Sequence, residues 1–223
     1  MKQFPGIQAV TFDAGGTLIE PWPSVGHVYA GVAAGHGFKD LSAEVLNRRF
    51  AAAWQARGKF DHTRGEWAEM VDQTFGGLVP ENAARGFFPE LYQRFAEAGA
   101  WRVYDDALPA LETLKSRGIR LGLISNWDNR LRPLLTQLNL DGRFEVIVVS
   151  CEAGFTKPSP EIFQLAAREL GVPGGAILHV GDSLEMDLHG ASGAGLRAVR
   201  ILRGAGPGAE DQIGSLLDLA GLV

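Results

Sequence analysis

Short apolar runs recur along the chain: IQAVTFD at 7–13, RLGLISN at 120–126, FEVIVVS at 144–150, AILHVGD at 176–182 and LRAVRIL at 196–202. Each reads as a strand that is apolar on both faces. Between them the apolar positions take helical spacing, as at Leu108, Leu111 and Leu114, or at Ile162, Leu165, Ala166 and Leu170. Two-faced apolar strands alternating with helices predict an α/β core, a parallel sheet with helices on both faces. In such sheets ligands bind beyond the carboxyl ends of the strands. Asp13, Ser125, Ser150 and Asp182 all fall at those ends, so one crevice can collect them.

The stretch 21–100 breaks this rhythm. It holds no convincing strand but four helical patterns, Val25 to Ala34, Ala43 to Ala56, Trp67 to Phe75 and Ala83 to Ala96, punctuated by glycine, proline and charge. This predicts two domains: an α/β core of residues 1–20 and 101–223, and a smaller all-helical domain of residues 21–100 over the crevice. No internal repeat is present. The final segment, 203–223, reads as a glycine-rich loop with a short, weakly amphipathic ending.

At 223 residues the chain is long enough for one substantial core with a smaller insert. A net charge of −5, spread evenly, argues against a nucleic-acid surface. No apolar run approaches a membrane span, and MKQFPGIQ lacks the apolar stretch of a signal peptide. The single cysteine, Cys151, cannot close an internal disulfide and fits a reducing compartment, so the chain reads as cytoplasmic, with Cys151 a buried or incidental thiol.

Four features carry chemistry. In FDAGGTL, Asp13 is followed by Gly15, Gly16 and Thr17, whose glycines let the backbone curl and offer amide N–H groups to an anion. In LISNWDN, Ser125 and Asn126 suit hydrogen bonding to an anionic oxygen. Lys157 lies in a loop stiffened by Pro158 and Pro160, and in HVGDSLEMD Asp182 precedes Asp187 by five residues. Singly each has a structural reading: Asp13, Ser125 and Asp182 as helix caps, Lys157 as a solvated lysine, Asp187 on an exposed helix face. Together they are more informative.

In that order, and across essentially the whole chain, these four features resemble the four motifs of the haloacid dehalogenase (HAD) superfamily, in the branch whose cap is inserted after the first motif. KPSPEIF and GDSLEMDLHGASGAG look especially like its phosphatase-like members. The resemblance implies a Rossmann-like core and a helical cap. It implies Asp13 as nucleophile forming a covalent aspartyl intermediate, and Gly16, Thr17, Ser125 and Asn126 around the substrate's oxygens. Lys157 would stabilise charge, and Mg²⁺ would be held by Asp13, Asp182 and the Gly15 carbonyl, with Asp187 orienting Lys157 or a metal-bound water. The substrate implied is a small phosphorylated molecule.

One position departs from the family's phosphatases. There the residue two after the nucleophile is an Asp that protonates the leaving group and later activates water; here it is Gly15. Losing such a group costs about 10² to 10⁴ in rate. Other readings therefore stay open: a carbon–phosphorus hydrolase using a cap lysine, Lys39 or Lys59; a metal-free haloacid dehalogenase, against which the Gly-Asp-x-x-x-x-Asp motif argues; and a non-catalytic binder of a phosphorylated ligand or partner. A cap residue, Asp61, His62, Glu66 or His27, is available as a substitute acid. GASGAG at 190–195 follows a helical stretch and reads as a helix end with its glycine turn, not a dinucleotide loop. His179 reads as a packed core histidine; Trp22 and Trp127 read as pocket lining or core. Neither the substrate nor the oligomeric state is legible.

Overall fold

The computed structural model describes residues 3–204 and 210–223; the glycine-rich loop expected after Leu202 centres on 205–209, outside the described residues. The strands are β1 (Ala9–Phe12), β2 (Ile19–Pro21), β3 (Trp101–Val103), β4 (Arg120–Ser125), β5 (Val146–Val149), β6 (Ile177–Gly181), β7 (Arg197–Ile201) and β8 (Gln212–Ile213). The chain forms two compact units, residues Met1–Ile19 with Val103–Val223, and Glu20–Arg102.

The larger unit is built on a six-stranded sheet in the order β5-β4-β1-β6-β7-β8, parallel throughout. Its five long strands lie within the five apolar runs. β8 has two residues, too few to leave a periodic signal. Side chains alternate across the sheet. One face, with Ala9, Ile124, Val146, Val148 and Ile177, packs on Ile162, Phe163, Ala166 and Leu170 of the helix Pro160–Leu170. Val10, Phe12, Leu121 and Leu123 face the other way and are also buried, beneath the side that the helix Ala107–Ser116 covers with Ala107, Ala110, Leu111 and Leu114. β1, with neighbours on both sides, places Asp13 just beyond the middle of the sheet.

The smaller unit contains four helices, Val25–Gly35, Ala43–Ala56, Arg64–Phe75 and Ala83–Arg94. The first three start where a hydroxyl meets otherwise unpaired amides: Ser24 accepts from His27, Ser42 from Val45, and Thr63 forms a capping box with Glu66. Their apolar faces share a core in which the buried Phe75 stacks on Tyr29 at 5.6 Å and meets Phe87 edge-on at 5.0 Å. β2 and β3, where the chain passes between the units, pair as a separate two-stranded sheet. Three residues each, they are shorter than any pattern could announce.

Candidate active site

Every element of the site belongs to the larger unit. Asp13 follows β1, Ser125 closes β4, and Asp182 follows β6. Lys157 sits in the loop before the helix Pro160–Leu170, and Asp187 in a π-helical turn, Leu184–His189. The side chains converge. Asp13 Oδ1 accepts from Ser125 Oγ at 2.9 Å and from Lys157 Nζ at 2.7 Å, and Lys157 Nζ also donates to Asp187 Oδ1 at 2.6 Å. Lys157 is only 4% exposed, so the solvated-lysine reading fails. Asp187 is buried too, which rules out the exposed helix face. Its Oδ2 accepts from the Ser183 amide at 3.0 Å, fastening the start of the π-helical turn.

Glycines set two of these approaches. Gly16 has φ of +74°, and a Cβ there would lie 2.6 Å from Asp182 Oδ2, so the residue both turns the loop and leaves room for a second carboxylate. At Gly181 a Cβ would fall 2.1 Å from Asp187 Cγ, so the glycine of the Gly-Asp motif is what lets Asp187 fold back onto β6.

Three expectations need correction. Asn126 does not offer its amide to an anion: Oδ1 accepts from the Lys157 amide at 2.7 Å and Nδ2 donates to the Lys157 carbonyl at 2.9 Å, so the side chain holds the backbone that carries the lysine. Of the amide cradle expected from the glycines, the Gly16 half is closed within the loop, with Gly16 N donating to Ile19 O, and the neighbouring Thr17 N donates to Ala14 O. The Ala14 and Gly15 amides, and the Gly15 carbonyl, take no part in those bonds. Ser150 lies apart from Asp13; its hydroxyl brackets the backbone N and O of Trp127 at 3.0 and 3.1 Å. Thr17 keeps a polar role open, since its fully buried hydroxyl has no hydrogen-bond partner.

Two contacts escaped the sequence reading. A Cβ at Gly15 would meet Trp127 Cζ3 at 3.3 Å, so the indole lies against the position where the family's phosphatases carry their acid. His179, buried as expected, is more than packing: it bonds Asp187 Oδ1 through Nε2 at 3.1 Å and Thr11 Oγ1 through Nδ1 at 3.0 Å. In the smaller unit, Lys39 is exposed and the Lys59 side chain is 81% exposed, so neither has the desolvation that activates a Schiff-base lysine. Glu66 is engaged by Thr63 and the Asp61 amide, Asp61 pairs with Lys59, and His27 bonds Ser24.

Electrostatics follow from three carboxylates sharing one buried ammonium. Burial raises Asp13 above the ordinary carboxylate range; Lys157 pulls it back and Asp187 pushes it up again. Asp182 is pushed up to about 7, by desolvation and then by Asp13 and Asp187. Burial would raise Asp187 and lower Lys157, but their mutual attraction wins, holding Asp187 well below its usual range and Lys157 above its own. Asp13, Asp182 and Asp187 each offer an oxygen within 4.8 Å of the others; Asp13 and Asp187 are buried, while Asp182 is exposed as a residue but turns its carboxylate in against Gly16. A hard, all-oxygen donor set with local negative excess fits a divalent cation such as Mg²⁺.

The site can be set beside known proteins. A family model for haloacid dehalogenase-like hydrolases matches residues 7–195. Haloacid dehalogenase-like hydrolase domain-containing protein 3 from Homo sapiens is 31% identical over 218 residues, covering 93% of this chain and 85% of that protein. Among solved structures, a HAD phosphatase from Thermococcus onnurineus is similar at TM-score 0.67 and 27% identity, over 96% of this chain and 97% of that one. A dehalogenase is similar at TM-score 0.74 and 26% identity, over 98% of both chains. The motif order, the parallel core and the matched family model agree: this chain belongs to the haloacid dehalogenase-like hydrolases.

Proposed function

We propose that the protein is a magnesium-dependent phosphatase that acts on a small phosphorylated molecule through an aspartyl intermediate at Asp13. The observation that carries this is the crowding of a second carboxylate, Asp182, against the nucleophile's loop through the missing Cβ of Gly16. A dehalogenase expelling halide has no use for that negative charge, whereas a cation between protein and phosphate does. Asp13, Asp182 and the Gly15 carbonyl would hold Mg²⁺, which supplies positive charge that screens the carboxylates from the phosphate.

The chain's own groups account for the rest. Ser125 and Lys157 both engage Asp13 Oδ1, leaving Oδ2 as the lone pair for attack on phosphorus. That attack forms the Asp13 O–P bond as the bond to the leaving oxygen breaks; water then attacks the same phosphorus, returning the carboxylate and releasing inorganic phosphate. Lys157, held by Asp187 below it, offsets charge building on the transferring group, and the Thr17 hydroxyl is a donor for one of its oxygens. Gly15 offers no proton to the leaving oxygen. The reading therefore favours substrates with stable leaving groups, such as acyl or aryl phosphates, over alkyl phosphates, for which the missing acid is worth roughly 3 to 5 kcal/mol of barrier.

The test is release of phosphate from acetyl phosphate and p-nitrophenyl phosphate with Mg²⁺. Turnover by the wild type that disappears in Asp13→Asn supports the reading. Inactivity on both, with halide released from 2-chloropropionate in EDTA, would replace it with a dehalogenase; inactivity on all three would favour a binding role for the crevice.

A further inference from the structure

Three strands place three residues in one register line across the sheet. Thr11 on β1 is paired with Gly122 on β4 and with His179 on β6. The line explains how the threonine is oriented. A Cβ at Gly122 would meet Thr11 Cγ2 at 3.1 Å, so the glycine admits the threonine methyl on one side and the hydroxyl turns to the other, where His179 Nδ1 lies 3.0 Å away. Thr11 and His179 are fully buried, and the ring of Phe163 meets the imidazole edge-on at 5.2 Å.

The bonds fix the tautomer. Asp187 Oδ1 already takes the Lys157 ammonium, which can only donate, so this oxygen is an acceptor and Nε2, 3.1 Å from it, must carry a hydrogen. The Lys157 ammonium already sits on that same oxygen and supplies its compensating charge, so a second positive charge on the fully buried ring would be uncompensated and the imidazole is neutral. Nδ1 is then bare and accepts the Thr11 hydroxyl proton. The same Asp187 oxygen also receives Lys157 Nζ at 2.6 Å, and Lys157 reaches Asp13 at 2.7 Å. Five side chains thus form one connected series, Thr11, His179, Asp187, Lys157 and Asp13, in which His179 and Lys157 both donate to Asp187 and Lys157 donates onward to Asp13.

We infer that His179 is a positioning residue: its Nε2–H, aimed by Thr11, holds the Asp187 carboxylate at the angle from which it delivers the Lys157 ammonium to Asp13. Its catalytic consequence rests on the phosphatase reading, but the geometry of the series does not. Two substitutions separate donation from packing. His179→Gln keeps an amide N–H near Nε2, whereas His179→Leu fills similar space without a donor. Outer partners of this type are worth about 10- to 100-fold in activity.

The experiment combines nitrogen-15 NMR of the imidazole at neutral pH, assigned by the signal lost in His179→Gln, with p-nitrophenyl phosphate kinetics in Mg²⁺. The expected result is a neutral ring protonated at Nε2, a fall in kcat of about tenfold or more in His179→Leu with KM little changed, and substantial recovery in His179→Gln. A ring protonated at Nδ1 or at both nitrogens, or a His179→Leu protein with wild-type kcat, would overturn the inference. If the leucine variant fails to fold, the spectrum and the glutamine variant still decide. If the wild type turns over no phosphate ester, the proposed function fails, while the tautomer still decides the role of His179.

Discussion

At the scale of single residues, Gly15 and Trp127 belong together. Glycine at 15 leaves space beside Asp13, and the indole takes it, its backbone fixed by the Ser150 hydroxyl, which accepts from Trp127 N and donates to Trp127 O. Gly15→Asp alone must push its Cβ against a ring 3.3 Å away, so it should raise alkyl phosphate hydrolysis only slightly. Combined with Trp127→Ala it should gain about 10² or more, the ordinary worth of a general acid. Steady-state rates on an alkyl phosphate for the two single variants and the double check this; a gain from Gly15→Asp alone equal to that of the double would show that the indole obstructs nothing. Asp13 and Asp182 were legible because each follows an apolar run at a strand end, and Lys157 and Asp187 because they complete the four-motif order. The uses of Asn126, Ser150 and Trp127 were not, since each depends on which loop lies opposite.

At the scale of elements, the Gly-Asp motif is a steric device. Gly181 ends β6 where the π-helical turn brings Asp187 back to within contact. Gly181→Ala should displace Asp187 and cost about 1 to 3 kcal/mol, as overpacking does, together with most of the activity. Gly193→Ala, where a Cβ meets nothing, should be near neutral. Urea denaturation of the two variants measures the contrast. In the smaller unit, Phe75 is fully buried between Tyr29 and Phe87, so Phe75→Ala should cost about 3 to 5 kcal/mol in the same assay. The main strands and the four inserted helices were legible because each is long enough to repeat its period. β2, β3 and β8 were not, and strand order and register, which put Thr11 beside His179, arise only from pairing.

At the scale of the whole molecule, the carboxylate cluster ties stability to pH and, under the proposed function, to metal. The folded-state pKa of Asp182, about 7, exceeds the ordinary 3.8, so between about pH 4 and 7 the folded protein holds a proton that the unfolded chain has released. Stability from this group therefore falls as pH rises through that window. Under the proposed function a divalent cation would compete with that proton, so the rise in Tm on adding Mg²⁺ should be larger at about pH 8 than at about pH 5.5. Equal shifts at both values would mean that Asp182 does not meet the ion. Among the described residues no helix is long and apolar enough to cross a membrane.

Under the proposed function, Asp13 takes the phosphoryl group. Rapid acid quenching of the protein during turnover of acetyl phosphate with Mg²⁺, followed by mass spectrometry of its peptides, tests this directly. The peptide carrying Asp13 should gain a phosphoryl group within the first turnover and lose it once substrate is exhausted. Steady turnover with that peptide never modified, or with the group on another residue, would contradict it.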